Sequence, residues 1–201
     1  MNQNETKIYT ADPSALGLFG LAMVTFVASS QKLGWTTGTS LIIPWAIFLG
    51  GIAQIYACVN DAKKGNVFGA TAFGAYALFW LSVAMSWMIT NGMFGETMKA
   101  TADATQLGFA FIGYLIFSLI MTLASLETNK VLMIILVLID FLFIGLALST
   151  IWHIEAGHTL AAWVELIISL VGFYGCAANV LNNTFGRTFL PVGKPLGIFK
   201  K

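Results

Sequence analysis

Residues 131–150 read VLMIILVLIDFLFIGLALST, twenty positions that hold one acid and no base. A helix rises about 1.5 Å per residue, so a run of this length crosses a hydrocarbon layer of about 30 Å. A helix on the surface of a soluble protein would need a polar face, and this run has none. Five further apolar runs of similar character flank it, which places the spans at about Ala15–Ser30, Leu41–Val59, Gly69–Ile89, Leu107–Leu126, Val131–Thr150 and Thr159–Leu181. The connections QKLGWTTGTS, NDAKKGNVF, TNGMFGETMKATADATQ, ETNK and IWHIEAGH are too short for a soluble domain. Over the whole chain of 201 residues, 58% are hydrophobic and 9% charged, too little polar surface to dissolve a globule. The expected fold is therefore an all-α, polytopic membrane protein: a six-transmembrane-helix bundle in the lipid bilayer. One transport-sized domain covers 15–186, between a polar segment, 1–14, and a tail, 187–201.

Basic residues are retained on the cytoplasmic side of a membrane. Lys7, Lys63, Lys64, Lys130, Arg187, Lys194, Lys200 and Lys201 fall on the side of the N-terminus, and only Lys32 and Lys99 on the other. Both termini are thus expected in the cytoplasm, with the longest loop and His153, Glu155 and His158 outside. The first fourteen residues, MNQNETKIYTADPS, lack the basic start and cleavage site of a signal peptide.

The same composition excludes several function classes. A net charge of +1 with scattered bases offers no footprint for nucleic acid. Cys58 and Cys176 each lie in an apolar run, without a CxxC or a His/Cys cluster, so they read as packing residues. His153 and His158 stand without carboxylate or cysteine support, and no nucleophile has a His at usable spacing. The expectation is a protein with no metal, no cofactor and no enzymatic activity.

In lipid, the faces that pack together or line a path are marked by small and polar residues. Glu165, Ser169, Gly172, Cys176, Asn179 and Asn183 recur at spacings of four and three along one face of the sixth span. Gly50, Gln54, Cys58 and Asp61 form a shorter stripe on the second, and Gly69, Phe73, Tyr76 and Trp80 an aromatic one on the third. Each stripe marks either a packing seam or a path, and three in one small bundle favour a shared path. Two acids lie within spans. Asp140, about ten residues into the fifth, sits near the midplane, where an ionised carboxylate costs roughly 2.5–3.5 kcal/mol. No Lys or Arg lies at its depth, so it is either a proton-coupling group or a structural polar contact. Glu165 is the second proton-coupling candidate, about one and a half to two turns from the external surface and expected to reach water more readily.

Three segments resemble the acetate uptake transporters, also called succinate/acetate permeases. Asp12-Pro13-Ser14-Ala15-Leu16-Gly17-Leu18 is similar to the family's NPAPLGL signature, with Asp12 in place of Asn and Ala15 in place of Pro. Gly50-Gly51-Ile52-Ala53-Gln54, followed by Lys63 to Gly69 and Thr71-Ala72-Phe73, resembles its second and third helices, and Asn179 to Thr188 its sixth. The resemblance implies a homohexameric ring in the inner (plasma) membrane of a prokaryote, each protomer carrying acetate and, in some members, succinate by a channel or a proton-coupled pathway. It implies a hydrophobic constriction at Leu21, Tyr76 and Ile139. Of these only Tyr76 matches the family in kind, since Leu21 stands where it has an aromatic and Ile139 where it has a leucine. The substrate-binding candidates on the matched segments are Pro13, Gln54, Asn66, Thr71, Phe73 and Asn179.

The physics of such a site is independent of the resemblance. A short apolar ring resists wetting and stops hydrated ions, while acetate can turn its methyl to the ring and its carboxylate to donors. Gln54, Asn66, Tyr76 and Asn179 offer donors. A helix start after Pro13 leaves N–H groups free for an anion, unless Asp12 caps them. A channel for small neutral solutes such as urea or short amides is the competing reading, and would use acceptors such as Glu165.

Overall fold

The computed structural model describes residues 11–199, so Lys7, Lys200 and Lys201 of the charge count lie outside the described residues. Six helices are long and apolar enough to cross a membrane: α1 Ser14–Lys32, α2 Ile43–Lys63, α3 Val67–Thr90, α4 Ala104–Ser125, α5 Lys130–Trp152 and α6 Glu155–Phe185. A short helix, Glu96–Ala100, interrupts the longest loop. Every span outlasts its apolar run. Polar residues such as Lys32, Lys63 and the NVLNNTF end of α6 continue the backbone ladder beyond the lipid-soluble stretch.

Short polar side chains set three of the starts by accepting the N–H groups a first turn leaves free. Asn66 Oδ1 accepts from Gly69 N at 3.1 Å, Asp103 Oδ1 from Thr105 N at 2.8 Å, and Asn129 Oδ1 from Leu132 N at 3.0 Å. Asp103 is solvent-exposed at the edge of α4, and these bonds to Thr105 hold its carboxyl below the ordinary range. His153, at φ +54°, and Gly186, at φ +62°, end α5 and α6 in the left-handed region.

The helices close a ring. α1 packs against α6 and α2, α2 against α3, and α5 between α4 and α6. α4 lies outermost, with Phe109, Ile116, Leu119, Ile120 and Leu123 exposed. The tail folds back across the end at which α1 begins and α6 finishes. Leu196 N donates to Leu126 O at 2.9 Å, Phe199 N to Glu127 Oε1 at 2.8 Å, and Phe189 N and Leu190 N both donate to Asn182 Oδ1. The enclosed centre is lined by α1, α2, α3 and α5.

One departure from the expected spans matters for the centre. Residues Ala46–Ala53 of α2 are π-helical, a wider turn that rotates everything after it relative to an α-helical register. Gln54 ends this stretch and donates its Nε2 to Gly50 O at 2.9 Å, serving a carbonyl at the change of register. Gln54 and Asp61 are thereby brought to the inner face together, both almost wholly buried.

Candidate functional site

A cavity of about 70 Å³ opens in the half of the bundle near the termini. Its polar groups are Ser14 from α1, Gln54 and Asp61 from α2, and Asn66 before α3; its walls are otherwise aliphatic and aromatic, with Phe73 among them. It ends at Leu21, Tyr76 and Ile139, all buried. The same three side chains floor a second space of about 10 Å³ on the far side, with Thr25, Trp80, Phe143 and Ile168 around it. One water needs roughly 10–15 Å³ measured in this way, so the far space holds one water at most. Beyond it Phe79 meets Trp80, Phe111, Tyr114 and Phe143 at centroid distances of 5.4, 6.2, 5.0 and 5.2 Å, which fills the far half with aromatic contacts.

The neck is held from outside. Tyr76 Oη donates to Ser118 Oγ on α4 at 3.0 Å, so the phenol spends its proton on the scaffold while its side chain lines both spaces. One turn along α4, Thr122 Oγ1 donates to Asp140 Oδ2 at 2.7 Å. Asp140 lines neither cavity. It sits behind Ile139 on the α4 side, its other oxygen buried without a partner.

At the start of α1, Asp12 Oδ1 accepts the N–H of Ser14 at 3.0 Å, which occupies one of the donors a substrate anion would use. Pro13 is buried, and its carbonyl begins the helical ladder by accepting from Gly17 N. Gly17 in turn faces Phe73, whose ring occupies the place a Cβ would take, so α1 approaches α3 closely at this level. Ser14, Leu18 and Leu132 are shared with a more polar cavity of about 130 Å³, also lined by Asp12, Asn129 and Asn179.

The structure therefore brings Gln54, Asn66, Phe73 and the neck residues Leu21, Tyr76 and Ile139 to one cavity, and puts Asn179 in its neighbour. Thr71 is exposed, because two residues beyond Gly69 a helix has turned about 200° from the cavity face. Of the three stripes, that on α3 lies entirely along the passage. The stripe on α6 is mostly a seam: Gly172 meets Ala22 of α1, and Glu165 is buried at 1% exposure. Its expected access to water is corrected here, because Lys32 reaches down from the end of α1 and donates its Nζ to Glu165 Oε2 at 2.8 Å. Glu165 and Asp140 both remain outside the cavities. Ser14 and Ser118 went unmarked in the sequence. Ser14 stood inside the quoted signature, whereas nothing local to Ser118 points to Tyr76.

The chain matches the GPR1/FUN34/yaaH family over residues 2–194. It is 34% identical over 184 residues to the succinate-acetate/proton symporter SatP of Escherichia coli strain K12, covering 92% of this chain and 96% of that one. It is 26% identical over 197 residues to acetate permease A of Emericella nidulans, covering 90% of this chain and 65% of that one. The solved structure of the bacterial acetate channel SatP superposes with a TM-score of 0.85 at 34% identity, over 92% of this chain and 100% of that chain.

Proposed function

The chain belongs to the GPR1/FUN34/yaaH family, and from that premise we propose that it moves acetate and related short carboxylates, succinate among them, across a membrane through a pathway inside each protomer. The observation that carries this reading is the neck: Leu21, Tyr76 and Ile139 stand between two spaces, and the carboxyl and carboxamide side chains, Asp61, Gln54 and Asn66, lie on the terminal side. Acetate fits that arrangement because it has one end for each environment. Its methyl meets the apolar neck, and its carboxylate meets the Asn66 amide and the Ser14 hydroxyl. Gln54 adds the N–H it has not given to Gly50.

The charge count supports placing the end with both termini in the cytoplasm, in the inner membrane of a prokaryote, so that the wider cavity faces inward. The exposed apolar face of α4 supplies surface for lipid or for neighbouring protomers in a hexameric ring. Transport, rather than catalysis, is the activity this interior serves.

Purified protein in liposomes tests the reading. Uptake of labelled acetate is expected to be blocked by propionate and untouched by urea. Inhibition by urea without inhibition by propionate would replace it with the neutral-solute channel.

A further inference from the structure

Asp61 carries chemistry that neither the neck nor the fold uses. It is 2% exposed and lines the 70 Å³ cavity; the Asn66 side-chain amide lies beside it, yet no hydrogen bond of ordinary geometry reaches its Oδ2. A buried carboxylate oxygen ordinarily finds a donor, and one left bare against a cavity is set to accept one from whatever enters. The backbone makes room for it deliberately. Gly69, on the first turn of α3, presents no Cβ at the point the Asp61 carboxylate occupies, and the Gly69 N–H that would otherwise serve it is taken by Asn66 Oδ1.

The charged groups facing Asp61 are few. From α1 comes Asp12, already bonded to Ser14 N, and from the turn after α2 comes Lys64, whose Nζ donates to Ala11 O at 2.7 Å. α3 adds the Tyr76 phenol, bonded to Ser118, and α5 adds only aliphatic wall. Among the described residues, then, no Lys or Arg lines the cavity to neutralise a second anion: Lys64 is near enough to act on Asp61, but its Nζ is held at the Ala11 carbonyl. Two carboxylates held a few ångströms apart in an apolar site cannot both ionise, whereas one proton shared between them makes a short, strong O–H···O bond.

We propose that Asp61 is the carboxyl group through which this cavity takes a short carboxylic acid together with one proton. The proton lies between Asp61 Oδ2 and a substrate oxygen while the substrate is bound. It leaves with the substrate, and Asp61 returns to a carboxylate, so charge and protons balance at each visit. Of the two other intramembrane acids, Glu165 is paired with Lys32 and Asp140 bonds Thr122 through one oxygen and has the other bare, but neither lines the cavity. The inference rests on the transport reading above and assigns its proton.

Acetate binding to the purified protein, followed by calorimetry from pH 6.5 to 8 in buffers of different ionisation enthalpy, separates the two. The wild type should take up about one proton per acetate bound, so its Kd should rise about tenfold per pH unit. Asp61→Asn should bind with a Kd that no longer follows pH, and Asp61→Glu and Asp140→Asn should keep the wild-type slope. A flat wild-type profile, or a slope that survives in Asp61→Asn, overturns the role of Asp61 while leaving transport intact. A wild type that neither binds acetate nor takes it up in vesicles overturns the transport reading, and this one with it.

Discussion

Tyr76 does two jobs with separable consequences. Its ring narrows the passage, and its hydroxyl ties α3 to Ser118 on α4. Tyr76→Phe keeps the ring and should cost about 1 kcal/mol of stability, the usual net worth of a hydrogen bond, with acetate uptake retained. Tyr76→Ala opens the neck and should raise uptake of butyrate relative to acetate severalfold, read as competing initial rates in the same vesicles. An unchanged ratio would mean that the neck lies elsewhere. The ring was legible in the sequence because Gly69, Phe73, Tyr76 and Trp80 repeat at helical spacing within a few turns. Ser118 lies 42 residues from Tyr76, and no local pattern records a pairing at that separation. Thr71 shows the opposite failure: a motif carries along every residue it contains, including those the helix turns outward.

Among the elements, α2 and α3 meet where a glycine is required and α1 and α6 where a charge pair is. Gly69→Ala drives a methyl into the Asp61 carboxylate and should destabilise by about 1–3 kcal/mol, seen as a lower Tm in detergent. Gly69→Ala combined with Asp61→Ala should recover part of that loss, since the colliding oxygens are gone. Lys32 and Glu165 lie 133 residues apart in sequence and 2.8 Å apart in the bundle. Glu165→Gln leaves the Lys32 side chain, 15% exposed, without its partner and should cost about 3 kcal/mol, whereas a Lys32→Met, Glu165→Met double variant should be close to the wild type. Equal Tm values for the single and double variants would remove the pair from the account of stability. The polar stripe on α6 was visible in the sequence, but a seam and a path are written with the same small and polar residues. Only the partner helix decides between them, here α1 with Ala22 and Lys32. The π-helical stretch of α2 left no mark at all, because its residues, AIFLGGIA, are as apolar as those of any span.

For the molecule as a whole, six apolar runs dictate the architecture, since lipid demands length and hydropathy and tolerates little else. The proposed ring predicts a particle of about six times 21.7 kDa once the detergent contribution is subtracted, measured by light scattering. A monomer by that measure would leave the α4 face to lipid. The interior is lopsided, about 70 Å³ on the terminal side of the neck against about 10 Å³ beyond it, closed by the Phe79 cluster. A space that holds one water at most cannot carry the file of waters along which protons would hop. Cells could therefore keep many copies of this protein in a membrane that stores a proton-motive force without short-circuiting it. Vesicles containing it, with acetate absent, should lose an imposed pH gradient no faster than protein-free vesicles do.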